Sequence, residues 1–402
     1  MKLKIGPGAY VTAAFIGPGT VTTCTLAGAN FGFVLVWALV FATLSTILLQ
    51  DMAARLGAGA QRGLGEALMQ SLPSGPVRII IAALVFIAIA IGNAAYEAGN
   101  LVGGAFGAES MLGPDRLARH WYVLAIAVTA LPALIFGRYK SLERLLIGLV
   151  LIMGLAFFGT ALLTRPNLLA MLNGLIPRIP EGGTLTAIAL IGTTVVPYNL
   201  FLHAAAARRR WTPDQVADAR ADTIVSIGLG GLVSLLILAT AASALFSSQL
   251  EVTNAADMAR SLEPVAGPWA RYLLGLGLLA AGLTSAITAP LAAGYAVSEI
   301  LPSLNSTARR RATKLTSITI LGIGALVGTL GIKPILLILT AQAANGLLLP
   351  LMAAFLLYVM NKQNLVGKHA NSNLANLMGA SVVMITFGLG LRGILRTLGL
   401  WP

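Results

Sequence analysis

A proline set between two glycines, Gly17–Pro18–Gly19, interrupts the first long apolar run of this 402-residue chain. From Ala9 to Ala29 the run is otherwise long and apolar enough to cross a bilayer as one helix. Proline removes a backbone donor and glycine favours non-helical dihedral angles, so Ile16–Gly17–Pro18–Gly19–Thr20 predicts a broken span. Hydrocarbon offers freed N–H and C=O groups no partner, so such a break must be enclosed by protein or line a cavity. A second break, Val196–Pro197–Tyr198–Asn199, falls inside the apolar run from Thr184 to Ala206. Paired broken spans in the two halves of a chain point to a transporter's binding site between them, at mid-membrane.

The rest of the chain reads as scaffold around those breaks. Only 10% of its residues are charged and 57% are hydrophobic, whereas a soluble domain carries about 25% charged residues. An all-α polytopic membrane protein forming a single unit over 1–402 is therefore expected. Eleven apolar runs match bilayer crossings: 9–30, 33–56, 77–103, 121–137, 142–164, 184–206, 223–246, 267–297, 315–331, 335–360 and 374–393. Met1–Lys4 followed by an apolar run resembles a signal peptide, but the run's length makes it a retained first span. The lone Cys24 rules out an intrachain disulfide framework and reads as a packing residue.

The net charge of +13 could suggest nucleic acid, but loop charge explains it without such a partner. With the N-terminus cytoplasmic, 18 of the 27 Lys and Arg fall inside, among them Lys2, Lys4, Arg138, Lys140, Arg144, Arg208–Arg210 and Arg309–Arg311. That bias predicts a multi-pass protein of the cell (inner) membrane with its C-terminus outside. The arginine runs read first as topology signals and second as lipid-headgroup or gating elements. The Gly-rich stretch 57–65 lacks the Lys and Ser/Thr of a phosphate loop and is read as a plain loop. Small residues at Gly228–Gly231 and Ala280–Gly282 predict close helix packing.

Several of these residues together resemble a family. Gly17–Pro18–Gly19, Ala27–Gly28–Ala29–Asn30–Phe31–Gly32, Leu49–Gln50 and Ala53–Ala54–Arg55–Leu56–Gly57 are similar to the opening of the NRAMP divalent-metal transporters. So are Gly192 through His203, Gln342 and Leu365–Val366–Gly367. The resemblance implies a LeuT-like fold, in which five spans (9–164) repeat upside down (184–360) before an extra span (374–393). It also implies symport of a divalent metal ion with protons by alternating access, with no cofactor. The departures concern the site itself. The family's first-span aspartate and asparagine are replaced by Gly17 and Thr20, and its sixth-span methionine and histidine by Val196 and Tyr198. Aligned on Gly99, its third-span acidic pair becomes Asn93 and Tyr96, with Glu97 displaced by one residue.

The candidate substrate-binding set is Gly17, Gly19, Thr20, Thr193, Val196, Tyr198, Asn199, Gln342 and Asn345. Any metal contact would come from Thr20, Gln342 and backbone near Gly17 and Thr193. Gln342 and Asn345, three apart on a helix, can share a face. Such polar, uncharged groups return little of the cost of dehydrating Mn²⁺ or Fe²⁺, whereas Mg²⁺ can keep its waters. A small carboxylate or amino acid held by the half-helix N-termini is the alternative solute. An ion channel is a weaker reading, and no catalytic set of residues supports an enzyme. Glu97, read as the only acid inside a span, is expected with Asn93, Tyr96 and His203 to form a proton path or gate. For His203 a plain hydrogen-bonded helix position is the competing expectation.

Overall fold

A computed structural model describes residues 6–113, 116–137, 140–246, 252–301 and 305–400. Of the charges used for orientation, Lys2, Lys4 and Arg138 and the side chains of Lys140 and Arg144 lie outside what is described. Among the described residues regular structure is entirely helical. The first span is split into α1 (Pro7–Phe15) and α2 (Pro18–Phe31), followed by α3 (Val36–Ala60), the short α4 (Leu64–Ser71), α5 (Pro76–Leu112), α6 (Arg119–Phe136), α7 (Lys140–Thr164) and the short α8 (Leu168–Asn173). The sixth span is split into α9 (Thr184–Thr194) and α10 (Pro197–Arg210). Then come α11 (Val216–Ala244), the short α12 (Ala255–Ala259) and α13 (Glu263–Ala266), and α14 (Ala270–Ile300). The chain finishes with α15 (Ser306–Gly328), α16 (Pro334–Met360), the short α17 (Gln363–Val366) and α18 (Asn373–Thr397).

Nine helical stretches among the described residues are long and apolar enough to cross a membrane. The other two expected crossings are the divided first span and α15, whose first turns carry Arg309, Arg310, Arg311 and Lys314. Helix α15 therefore begins nine residues before its apolar run, because an apolar count registers only the hydrocarbon segment. For the same reason α5 and α11 overrun their expected ends and the short helices go unforeseen. The stretch 57–65 is not one loop: α3 runs to Ala60, Gln61 turns the chain at φ 54°, and α4 starts at Leu64.

The broken sixth span lies at the centre. In its most apolar window 94% of residues are buried, against 22% for α18, which places α18 at the rim. Helices α2 and α9 contact each other, with α11 against α2 and α16 against α9, while α5 and α14 pack along one another beside them. Backbones meet where side chains are missing. A Cβ at Gly28 would stand 2.3 Å from the Leu238 carbonyl, one at Gly57 2.2 Å from Ala204's, and one at Gly192 2.0 Å from Gln342's. Gly230, Gly231 and Gly282 are equally crowded, as their small-residue runs predict, whereas Gly228 faces open space. Cys24 is free and buried in the packing around α2.

Buried polar residues fasten the bundle. Asp222 of α11 accepts from the Gly6 and Gly8 backbone N–H groups at 2.9 and 2.7 Å, capping α1 from another helix. Asp51 of α3 accepts from Arg55 at 3.0 Å and from Arg220 of α11 at 2.6 Å. Arg55 also donates to the His369 carbonyl at 2.7 Å and to Asn371 at 2.8 Å. Glu97 is thus not the only acid within a helical span: Asp51, Asp222 and Glu299 lie nearer span ends, each with a polar partner. Asp222 and Glu299 fall just outside the expected runs because apolar runs leave helix ends undefined, whereas Asp51 lies inside the expected run 33–56 and was overlooked.

Candidate functional site

Both broken spans use the same backbone device. Helix α1 ends on Ile16 (φ −77°, ψ 63°) and α9 on Val195 (φ −94°, ψ 77°). One extended residue follows in each, Gly17 or Val196, and then a proline opens the second half-helix. The non-helical residues are therefore 16–17 and 195–196. Thr20 and Asn199, expected within the breaks, lie in the first turns of α2 and α10 instead. Proline suits a first helical position, where its missing N–H costs nothing, so it restarts the helix after the break. Gly17 has an ordinary extended backbone (φ −100°), so it is not needed for its dihedral freedom. Space explains both glycines. A Cβ on Gly17 would lie 2.9 Å from Ser285 Oγ, and one on Gly19 2.0 Å from Gln342 Nε2.

Thr20 joins the two breaks. Its hydroxyl donates to the Phe15 carbonyl left free at the end of α1. A carbonyl can only accept, so the single Thr20 proton is committed there. The hydroxyl of Thr193 on α9 then donates to Thr20 Oγ1 across 2.9 Å. Gln342 of α16 sits against Gly19, and neither its amide oxygen nor its amide nitrogen has a hydrogen-bond partner. Asn345 faces the other break. With Asn93, Pro197 and Tyr198 it lines a cavity of about 10 Å³, room for roughly one water. Gln342 and Asn345 are both fully enclosed, yet they reach different halves of the site. Asn199 is buried with both amide atoms unpaired. Val196 contributes no polar group: its side chain joins an apolar cluster with Phe15, Ile16, Tyr96 and Tyr198. There the Tyr96 and Tyr198 rings meet edge to face at 5.4 Å.

Two polar residues that the sequence did not single out belong to this group. Asn100 Oδ1 lies 3.8 Å from the Cβ position of Gly17, and Ser285 Oγ is nearer still; both atoms are buried without a partner. Asn100 could have been found from its position one helical turn after Glu97, since residues three apart share a face. Ser285 stands in α14 between Thr284 and Thr288, whose hydroxyls bond carbonyls of their own helix, and nothing in the sequence sets it apart from them. Glu97 is fully buried, with Oε2 accepting from Asn100 Nδ2 at a long 3.4 Å and its stem packed against Gly324 of α15. No described Lys or Arg forms an ion pair with it, and it is enclosed rather than at a water interface. His203 stands apart from the breaks, donating from Nδ1 to Gln50 Oε1 at 2.9 Å and lying 3.5 Å from Thr223 Oγ1.

Among the described residues no three His, Cys, Asp or Glu side chains gather as a metal-binding group. Apart from the Met352 thioether at the small cavity of the second break, the polar lining is hydroxyl, amide and backbone, which hydrogen-bonds solutes and water but offers a bare transition metal few direct ligands.

An all-helical membrane bundle whose first and sixth spans unwind side by side has the architecture of LeuT-fold transporters. The structure of MhsT in complex with L-phenylalanine shares that fold, at TM-score 0.62 and 14% identity over 95% of this chain and 96% of that one. The chain belongs to the Nramp family: the family described as natural resistance-associated macrophage protein-like matches residues 8–396. The divalent metal cation transporter MntH of Yersinia enterocolitica is 28% identical, over 97% of this chain and 94% of that protein. MntH of Acidiphilium cryptum is 25% identical, over 98% and 90%. A manganese transporter of Eremococcus coleocola superposes with a TM-score of 0.73 at 22% identity, over 96% and 85%, a likeness of fold.

Proposed function

We propose that this chain is a secondary-active transporter that moves a divalent metal ion, Mg²⁺ in preference to Mn²⁺ or Fe²⁺, by alternating access. Family membership and the metal-transporting relatives support the cation. The site's chemistry supports the choice among cations. One observation carries most of the weight: the buried amides of Gln342, Asn199 and Asn100 present unpaired oxygens near the two breaks, while the one carboxylate beside them, Glu97, is bound to Asn100, and the one thioether, Met352, lines only the small cavity at the second break. Amide oxygens accept hydrogen bonds from the water shell that Mg²⁺ gives up reluctantly. Mn²⁺ and Fe²⁺ gain most from direct ligands that this lining lacks. A cavity of about 10 Å³ is too small for a hydrated ion, so loading requires the half-helices to part. Glu97, buried and joined through Asn100 to the first break, is the group through which protons would be coupled. The arginine-rich end faces the cytoplasm in this reading.

A second reading has its own support. Helices α2 and α10 each run 14 residues from a break and carry no acid in the first turn, so their N-terminal poles are free for a substrate carboxylate. A ligand screen by thermal denaturation of the purified protein separates the two, because ligands of the native state raise its melting temperature. Mg²⁺ is expected to stabilise, and Thr20→Ala with Gln342→Ala to remove the shift. Stabilisation by Mn²⁺ alone would overturn the cation preference, and stabilisation by an amino acid alone would replace the metal reading.

A further inference from the structure

Away from the breaks, at the arginine-rich end of the bundle, a recess of about 640 Å³ opens among α6, α10, α14 and α15. Five cationic side chains line it: Arg208 and Arg209 from the last turn of α10, and Arg309, Arg310 and Lys314 from the start of α15. Glu299 is the one acid among the lining residues. Local partners satisfy some of this charge. Arg208 pairs with Glu66 at 2.8 Å, and Arg309 reaches the same carboxylate oxygen at 3.8 Å. Arg209 donates to Tyr295 Oη at 2.8 Å, with its guanidinium 4.7 Å from the ring centre. Arg310 and Lys314 pair with no acid among the described residues.

Helix polarity sharpens the imbalance. Cations at the C-terminal end of α10 are favoured, but those on α15 crowd the positive end of a 23-residue helix with no acid in its first turn. Like charges from two helices thus converge on one concave surface, which stores repulsion unless an anion enters. Topology alone needs positive residues on one side of the membrane, not their convergence on one recess. The lining also has an apolar part, Leu134, Ile135 and an exposed Phe136 at the end of α6. Cationic groups beside apolar surface, between helices at a membrane face, match an anionic headgroup with its chains alongside.

We propose that this recess is a binding site for a phosphate-bearing anion, held by Arg310 and Lys314 with Arg208, Arg209 and Arg309 around it. Planar guanidinium groups give forked hydrogen bonds to phosphate oxygens, and the lysine adds a point charge. The volume lies within the range of small-molecule sites and exceeds what a halide would fill.

The test measures the melting temperature of the purified full chain with phosphatidylglycerol, phosphatidylcholine or inorganic phosphate, at one ionic strength. Phosphatidylglycerol is expected to raise it by about 2–4 °C over phosphatidylcholine. The variant R310A/K314A should lose that shift, whereas Lys333→Ala, at the start of α16, should keep it. A matching shift with inorganic phosphate would support the site and assign it a free anion; a shift with the lipid alone would assign a headgroup. Equal effects of both lipids with none from phosphate, or a shift retained in R310A/K314A, would overturn the proposal. If the double variant does not fold, native mass spectrometry of the unaltered protein decides: selective retention of phosphatidylglycerol supports the site, and equal retention of both lipids refutes it.

Discussion

Gly19 carries no side chain because the Gln342 amide occupies the place of a Cβ. Gly19→Ala must displace that amide, at a cost of about 1–3 kcal/mol for overpacking. Melting and solute uptake should both fall, while Gly228→Ala, facing open space, should leave both unchanged. The proline of Gly17–Pro18–Gly19 announced the break, but the true reason for its glycines, the closeness of Ser285 and Gln342, was not legible. Those contacts join residues hundreds of positions apart that no local pattern connects. Glu97→Gln keeps the side chain's shape and its place beside Asn100 and Gly324, so the protein should fold. Uptake driven by a pH gradient is expected to be lost, and full retention would remove Glu97 from proton coupling. His369 lies in the turn after α17, where partial burial, then Lys368 and Arg55, hold its imidazole below the usual histidine range. The folded state therefore resists the proton that the unfolded chain accepts, so stability falls as pH drops below about 6.5. The effect is small because water screens a partly exposed ring. Melting curves recorded from about pH 7.5 to 5.5 for the unaltered protein and for His369→Gln should diverge, the unaltered protein losing more stability toward low pH than the variant.

At the scale of the element, the half-helix α1 depends on a residue 214 positions away from Gly8. Asp222 supplies the acceptor that the first N–H groups of α1 lack. Asp222→Ala removes two hydrogen bonds to a charged acceptor, worth roughly 1.5–3 kcal/mol each, and leaves the donors buried. Melting should drop sharply, and a cysteine introduced in α1 should become more reactive to a water-soluble thiol reagent. Nothing in the sequence marks Asp222 as a cap, because capping patterns are local and this one bridges helices. The breaks themselves were readable to within three residues, since proline acts on its own backbone whatever surrounds it. The start of α15 was not, because its first nine residues are helical and basic, outside the hydrocarbon that apolar counting detects.

At the scale of the whole molecule, length and composition were enough to give a helical membrane bundle. The resemblance of 17–19 and 192–203 to one family gave the LeuT-type arrangement in which the structure places them. What stayed hidden was which candidates meet. Thr20 and Thr193 touch and Tyr96 packs on Tyr198, while His203 belongs to a separate contact with Gln50 and Thr223. The central claim is that two unwound points enclose a neutral polar site that takes a cation with its water, after the half-helices separate. Uptake into liposomes bearing the purified protein, with Mg²⁺ and Mn²⁺ compared at equal concentration, tests it most directly. The account predicts Mg²⁺ entry that falls about tenfold or more in the Thr20→Ala, Gln342→Ala protein, about 1.4 kcal/mol of lost stabilisation per tenfold, with little Mn²⁺ entry in either. Rapid Mn²⁺ entry without Mg²⁺ would contradict it.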